Sequence, residues 1–99
     1  MCGIGGFVDY ERDARTFRST ARRMQRTLTP RGPDAAGEYC DSAALLVHRR
    51  LIVIDPDGGG QPMYAPDGNT ILIYNGELYN TEELRRDLRA RGHQFTGHS

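Results

Sequence analysis

Tryptophan is absent from the 99 residues, and so is lysine. All 13 basic residues are arginine, and 13 acidic ones balance them to a formal net charge of zero. No lysine can therefore serve as a Schiff base or ligate phosphate, although a GC-rich coding bias would leave the same imprint. The neutral balance supplies no electrostatic reason to expect nucleic acid or an anionic membrane as partner. Long apolar runs are missing too: the longest, Ala43 to Val47, is far short of the ~20 residues that span a bilayer. Met1-Cys2-Gly3-Ile4-Gly5-Gly6 lacks the basic flank and apolar run of a signal peptide. Cys2 and Cys40 are too few for a disulfide scaffold. His48, His93 and His98 show no metal-ligand spacing, so no metal site is expected. Gly58-Gly59-Gly60 is not followed by the Lys-Ser/Thr of a phosphate loop. Together these absences predict one small, soluble, cytoplasmic domain that is short of core.

The residues present divide by period. Cys2 to Val8 is apolar, punctuated by glycine, and reads as a buried strand. From Asp13, a candidate N-cap, Phe17, Ala21, Met24 and Leu28 recur on one helical face, and Pro30 should end that helix at or just before Thr29. Thr29 to Gly37 reads as loop. Ala43 to His48 and Leu51 to Ile54 read as strands, and Asp55 to Gly60 reads as a turn or loop after the second. Pro66-Asp67-Gly68-Asn69 is a turn between Met63-Tyr64 and a strand over Thr70 to Tyr74. A second helix starts at Asn80, with Glu83 completing a capping-box-like pair, Leu84 and Leu88 on its buried face and Gly92 as its C-terminal cap. His93 to Thr96 should begin another strand.

Few residues carry chemistry. If Met1 is removed, Cys2 joins a thiol and an α-amine in one residue. An amine of pKa about 7.7–8.0 can accept a thiol proton near neutrality without a histidine. By position alone, Cys2 is equally a small buried side chain. Asn75-Gly76 follows a strand and offers a side-chain amide and a backbone N–H, the donors an oxyanion hole needs; the same pair is a common turn. His48-Arg49-Arg50 ends a strand, where an arginine suits a carboxylate clamp or simply a solvated edge. The six arginines from Arg12 to Arg26 read as a solvated helix face rather than an RNA or acidic-partner surface.

The order of these segments is more specific than any one of them. Met1-Cys2-Gly3-Ile4-x-Gly6 is followed by Arg31-Gly32-Pro33-Asp34-x-x-Gly37, His48-Arg49-Arg50-Leu51, Asp55, Gln61-Pro62-Met63 and Asn75-Gly76-Glu77-Leu78-Tyr79-Asn80. The series resembles the N-terminal glutaminase domain of class II glutamine amidotransferases, and most of all the glutamine-hydrolysing asparagine synthetases. The resemblance spans residues 1–99. It implies an α+β fold, the N-terminal-nucleophile hydrolase four-layer αββα sandwich, of which this would be an incomplete N-terminal portion. It further implies Cys2 as the nucleophile, Asn75 and Gly76 as the oxyanion donors and Arg50 as the binder of the glutamine carboxylate. The pocket would be shaped by Leu51, Ile52, Val53, Ile54, Asn75, Gly76 and Glu77.

The implied partners are glutamine and the chain's own C-terminal synthetase domain, where ATP and Mg would activate aspartate; no cofactor is expected within residues 1–99, and the full-length form is compatible with a homodimer. Two positions depart from the family pattern: Pro30 replaces a histidine before Arg-Gly-Pro-Asp, and Val47 replaces a glycine before His48. The family motif continues past His98-Ser99 with an aspartate that binds the glutamine amino group. The 99 residues are therefore expected to be a truncation, without the synthetase domain. The alternatives are an amidotransferase of the same superfamily with another acceptor, such as β-lactam or natural-product amidation, or an inactive fragment.

Overall fold

The computed structural model describes residues 2–98. Strand β1 (Gly3–Val8) leads through a 3-10 turn (Ala14–Phe17) into helix α1 (Arg18–Thr27). Strands β2 (Ala35–Cys40) and β3 (Ala44–Arg50) come next, then the short β4 (Met63–Tyr64) and β5 (Ile71–Leu72), and helix α2 (Thr81–Ala90). The architecture is mixed α+β, with an antiparallel sheet ordered β1-β3-β2 and a separate β4-β5 pair.

Strand β3 is central because it is the most apolar, and both neighbours pair antiparallel to it, Gly5 and Glu38 flanking Val47. Alternation along β3 divides the sheet into two faces. Leu45 and Val47 point toward α1 and are fully buried with Ala14 and Ala21. Phe7, Met24, Leu28 and Cys40 pack against them, and Phe7 meets Phe17 edge-to-face at 5.6 Å. The helical face carried by Phe17, Ala21, Met24 and Leu28 is therefore a core face, although Phe17 sits in the 3-10 turn and the α-helix starts one residue later. Asp13 does cap, but it caps that turn, accepting the Arg15 N–H at 3.0 Å.

The other sheet face carries Ile4, Leu46, His48 and Arg50 in register. Here β1 is not a buried strand: Ile4 is 44% and Val8 59% exposed, so only its α1 side is covered. The β4-β5 hairpin rests on the β2 side of this face. Tyr64 meets Tyr39 edge-to-face at 6.2 Å, and the Gln61-Pro62 backbone lies over Gly37. The turn between the hairpin strands forms where Pro66 to Asn69 predicts it, with Gly68 at φ +74 and its N–H on Ala65 O at 2.8 Å. Only Ile71–Leu72 of the expected Thr70 to Tyr74 strand is paired.

Four other expectations are corrected. The loop over Thr29 to Gly37 stops short, because Ala35 already pairs with Arg50; tertiary pairing outweighs the weak strand preference of Ala-Ala-Gly. Leu51 to Ile54 is not a strand, since its backbone groups are taken by the side chains of Asp34 and Arg50. Asn80 makes no side-chain cap, and on α2 the buried residue is Arg85, whereas Leu84 is 38% exposed. His93 to Thr96 is not a strand either. Gly92 (φ +92) ends α2 with its N–H on Arg89 O at 3.0 Å and the His93 N–H on Leu88 O at 3.0 Å, a Schellman cap that turns the chain back. Phe95 then lies beneath the guanidinium groups of Arg85 and Arg89, at 5.4 and 5.7 Å, which covers Arg85. No helix among the described residues is long and apolar enough to cross a membrane.

Candidate functional site

Cys2 stands one residue before β1, and the antiparallel register brings it to the end of β3. Its Sγ accepts the Leu51 N–H at 3.4 Å and lies 3.8 Å from Leu51 O. A chain separation of 49 residues is thus closed at the thiol itself. Cys40, the other free cysteine, is on the opposite side of the sheet, packed toward the α1 core with its Sγ on Asp41 O.

The Arg31-Gly32-Pro33-Asp34 segment is laid across this end of the sheet. Arg31 Nε donates to Cys2 O at 3.3 Å. Arg49 Nε donates to Gly32 O at 2.8 Å, and Arg49 Nη2 to Pro33 O at 3.3 Å. The Asp34 N–H donates to Arg50 O at 3.0 Å, and the Asp34 carboxylate accepts the Ile52 N–H at 2.8 Å. The approach is close: a Cβ on Gly32 would stand 2.3 Å from the Arg49 carbonyl carbon, so only glycine fits. This loop ties the start of β1 to the end of β3 and so fixes where Cys2 sits. Residue order alone does not reveal this work of Arg31-Gly32-Pro33-Asp34; its signal is a Gly-Pro pair flanked by opposite charges.

Arg50 is buried, next to Leu51. Its Nη2 donates to Ile54 O at 2.8 Å and Asp55 O at 2.6 Å, and its Nη1 to Pro56 O at 3.3 Å. As folded, its guanidinium holds the 51–56 loop, and any carboxylate it gripped would share donors with these carbonyls. Ile52 is half-buried beside it, whereas Val53 and Ile54 are exposed. Asp55 adopts φ 52; its carboxylate accepts the Gly58 N–H at 3.0 Å and the His98 N–H at 2.6 Å, which draws the end of the described chain to the same loop.

The Asn75-Gly76-Glu77 segment approaches from the hairpin. Tyr74 is held by Gln61, whose Oε1 accepts the Tyr74 N–H at 2.6 Å and whose Nε2 donates to Tyr74 O at 3.0 Å. His48, on the same sheet face as Arg50, is 1% exposed. Burial pushes its imidazole below the usual histidine pKa, against an opposing backbone hydrogen bond at Tyr74 and aided by the Arg50 charge. Asn75 is half-buried, while Gly76 and Glu77 are exposed. Among the described residues, no hydrogen bond joins Asn75, Gly76 or Glu77 to Cys2 or Arg50; the fold brings the Tyr74 end of the segment to His48 on the face that Arg50 shares. The described residues include no group of three His, Cys, Asp or Glu side chains placed to hold a metal ion.

The start of β1 thus sets a sulfur against Leu51, next to the buried Arg50, while the Asn75-Gly76 segment leads off the hairpin. The family model for the glutamine amidotransferase domain matches residues 1–99. The chain belongs to the glutamine amidotransferase domain family. Its relatives include asparagine synthetase [glutamine-hydrolyzing] 3 of Bacillus subtilis, 52% identical over 98 residues, covering 96% of this chain and 16% of that protein. The asparagine synthetase [glutamine-hydrolyzing] of Brassica oleracea is 40% identical over 95 residues, covering 96% and 16%. Asparagine synthetase B of Escherichia coli is 38% identical over 97 residues, covering 98% of this chain and 18% of its own length. The chain therefore spans about a sixth of the length of the curated relatives it matches.

Proposed function

We propose that this chain is the glutamine-hydrolysing portion of an asparagine synthetase, and that Cys2, freed of Met1, is its nucleophile. The observation that carries the reading is the position of Cys2 Sγ on the Leu51 N–H, beside Arg50, in a chain whose relatives are named for glutamine hydrolysis. Sγ attacks the side-chain amide carbon of glutamine, and the Cys2 amine takes the thiol proton. The Asn75 amide and the Gly76 N–H receive the oxyanion; one such donor is typically worth ~3–4 kcal/mol in the transition state. Collapse breaks the C–N bond, the amine returns the proton to the leaving nitrogen, and ammonia departs. Water then cleaves the thioester to glutamate and restores the thiol. Arg50 holds the glutamine α-carboxylate, with Leu51 to Ile54 and Glu77 as pocket walls.

The two faces of the sheet fit the inner part of a four-layer αββα sandwich: α1 covers one face, and the other, bearing Ile4 and Val8, takes a second sheet. ATP-dependent amidation of aspartate and its Mg belong to chain outside residues 1–99.

The test is covalent labelling of the full-length protein with a glutamine-analogue electrophile, read by peptide mass spectrometry. Modification should fall on Cys2 and spare Cys40, and Cys2→Ala should abolish glutamine hydrolysis. Equal labelling of the two cysteines would remove the basis for the assignment.

A further inference from the structure

Gln61 stands outside the nucleophile, carboxylate and oxyanion groups, yet its carboxamide does something unusual: it binds both backbone groups of a single residue. Its Oε1 accepts the Tyr74 N–H at 2.6 Å while its Nε2 donates to Tyr74 O at 3.0 Å. The amide thus replaces a neighbouring strand for one residue, beyond the point where β5 pairing with β4 ends at Leu72. The residue it holds immediately precedes Asn75.

Two further contacts fix the same point. A Cβ on Gly76 would stand 2.6 Å from the Tyr74 hydroxyl oxygen, so the Tyr74 ring is folded against the Gly76 backbone. On the other side, the Gln61 main chain is seated on Gly37 so closely that a Cβ there would stand 1.8 Å from Gln61 O. The sheet holds Gln61, Gln61 holds the Tyr74 backbone, and Tyr74 bounds the Asn75-Gly76 pair on both sides.

We propose that Gln61 is a positioning residue for amide hydrolysis, setting the direction of the Asn75 side chain and the Gly76 N–H by clamping Tyr74. The proposal rests on the glutaminase reading above. It adds that oxyanion geometry is set by a side-chain amide 13 residues away in sequence. Such a clamp acts on the transition state more than on substrate binding. A misplacement of about 1 Å at a reacting group costs on the order of 100-fold in rate.

The experiment uses the full-length protein. Gln61→Glu keeps an acceptor for the Tyr74 N–H but sets a carboxylate oxygen against Tyr74 O, and Gln61→Met keeps length without either bond. For both, kcat for glutamine hydrolysis should fall about 10- to 100-fold. KM for glutamine should move less, within about threefold, because Arg50 and Leu51 to Ile54, which hold the α-carboxylate end, are untouched. Cys2 alkylation by iodoacetamide, which needs no oxyanion hole, should proceed at the parental rate; it reports that the thiol and the fold around it are intact. A parental kcat in either variant overturns the proposal, and so does a loss of iodoacetamide reactivity that parallels the loss of kcat. A parent protein that hydrolyses no glutamine overturns the functional reading and this proposal together. A parent that does, beside variants at parental kcat, overturns this proposal alone.

Discussion

Replacing Gly37 with alanine tests the seating of the hairpin on the sheet. Gly37 pairs with His48 in the middle of β2, under the Gln61 carbonyl. The added Cβ would stand 1.8 Å from Gln61 O, 2.9 Å from Gln61 C and 3.0 Å from Pro62 Cδ. A carbon and a carbonyl oxygen approach no closer than about 3.3 Å in ordinary packing, so the two must separate by about 1.5 Å. Both obstacles are backbone or proline ring, and no flexible side-chain tip can swing aside. Overpacking of this kind costs about 1–3 kcal/mol. Because the hairpin moves as a unit, the Gln61–Tyr74 bonds survive and add nothing to that figure. Urea unfolding followed by far-UV circular dichroism suits a chain without tryptophan. Gly60→Ala is the companion variant: its Cβ would meet nothing within 4 Å, and its midpoint should match the parent to within about 0.5 kcal/mol. If Gly37→Ala unfolded at the parental urea concentration, the hairpin would not be seated on Gly37 and the reasoning would fail.

Two further predictions concern titration and the α2 cap. His48 is buried with its pKa below the usual 6.5, so the unfolded chain binds its proton first. Its contribution to stability is complete above pH ~6.5 and declines as pH falls from there toward the folded value. Urea midpoints at pH 7.5 and 5.5 should separate for the parent and converge for His48→Gln; equal separation would rule His48 out as the source. At Gly92, alanine would meet no atom but would have to hold φ +92, costing about 1 kcal/mol. Hydrogen exchange at residues 92 and 93 should quicken, since those amides make the capping bonds; unchanged protection would mean that the cap tolerates a side chain.

Elements with a local cause were legible beforehand. The periodic apolar face of α1, the Pro66 to Asn69 turn and the glycine after α2 each arise from residues that act on their own neighbourhood. The missed elements owe their form to distant partners. Ala35–Cys40 becomes a strand only because β3 offers an edge, and Leu51 to Ile54 loses its strand character to Asp34 and Arg50. The α2 face went wrong because Phe95, not an apolar layer, decides which side is covered. At the site, the proposed roles of Cys2, Arg50 and the Asn75-Gly76 pair come from residue type and order. The devices that hold them do not, because Arg49, Gln61 and Asp34 act through backbone groups 13 to 18 residues away.

The contact between Cys2 Sγ and Leu51 also sets a clock. Cys2 is made first, but its partner is made 49 residues later. At ~5–20 residues per second, synthesis leaves the N-terminus without its sheet for about 2–10 s. Strand β1 cannot close earlier, because its sole partner among the described strands is β3. On the proposed reading, a processing enzyme has that interval to reach the Met1-Cys2 bond; after it, Cys2 lies against the finished central strand. A change that hastened or delayed β3 pairing would then alter how many molecules carry a free amine at Cys2, without touching any group of the proposed reaction.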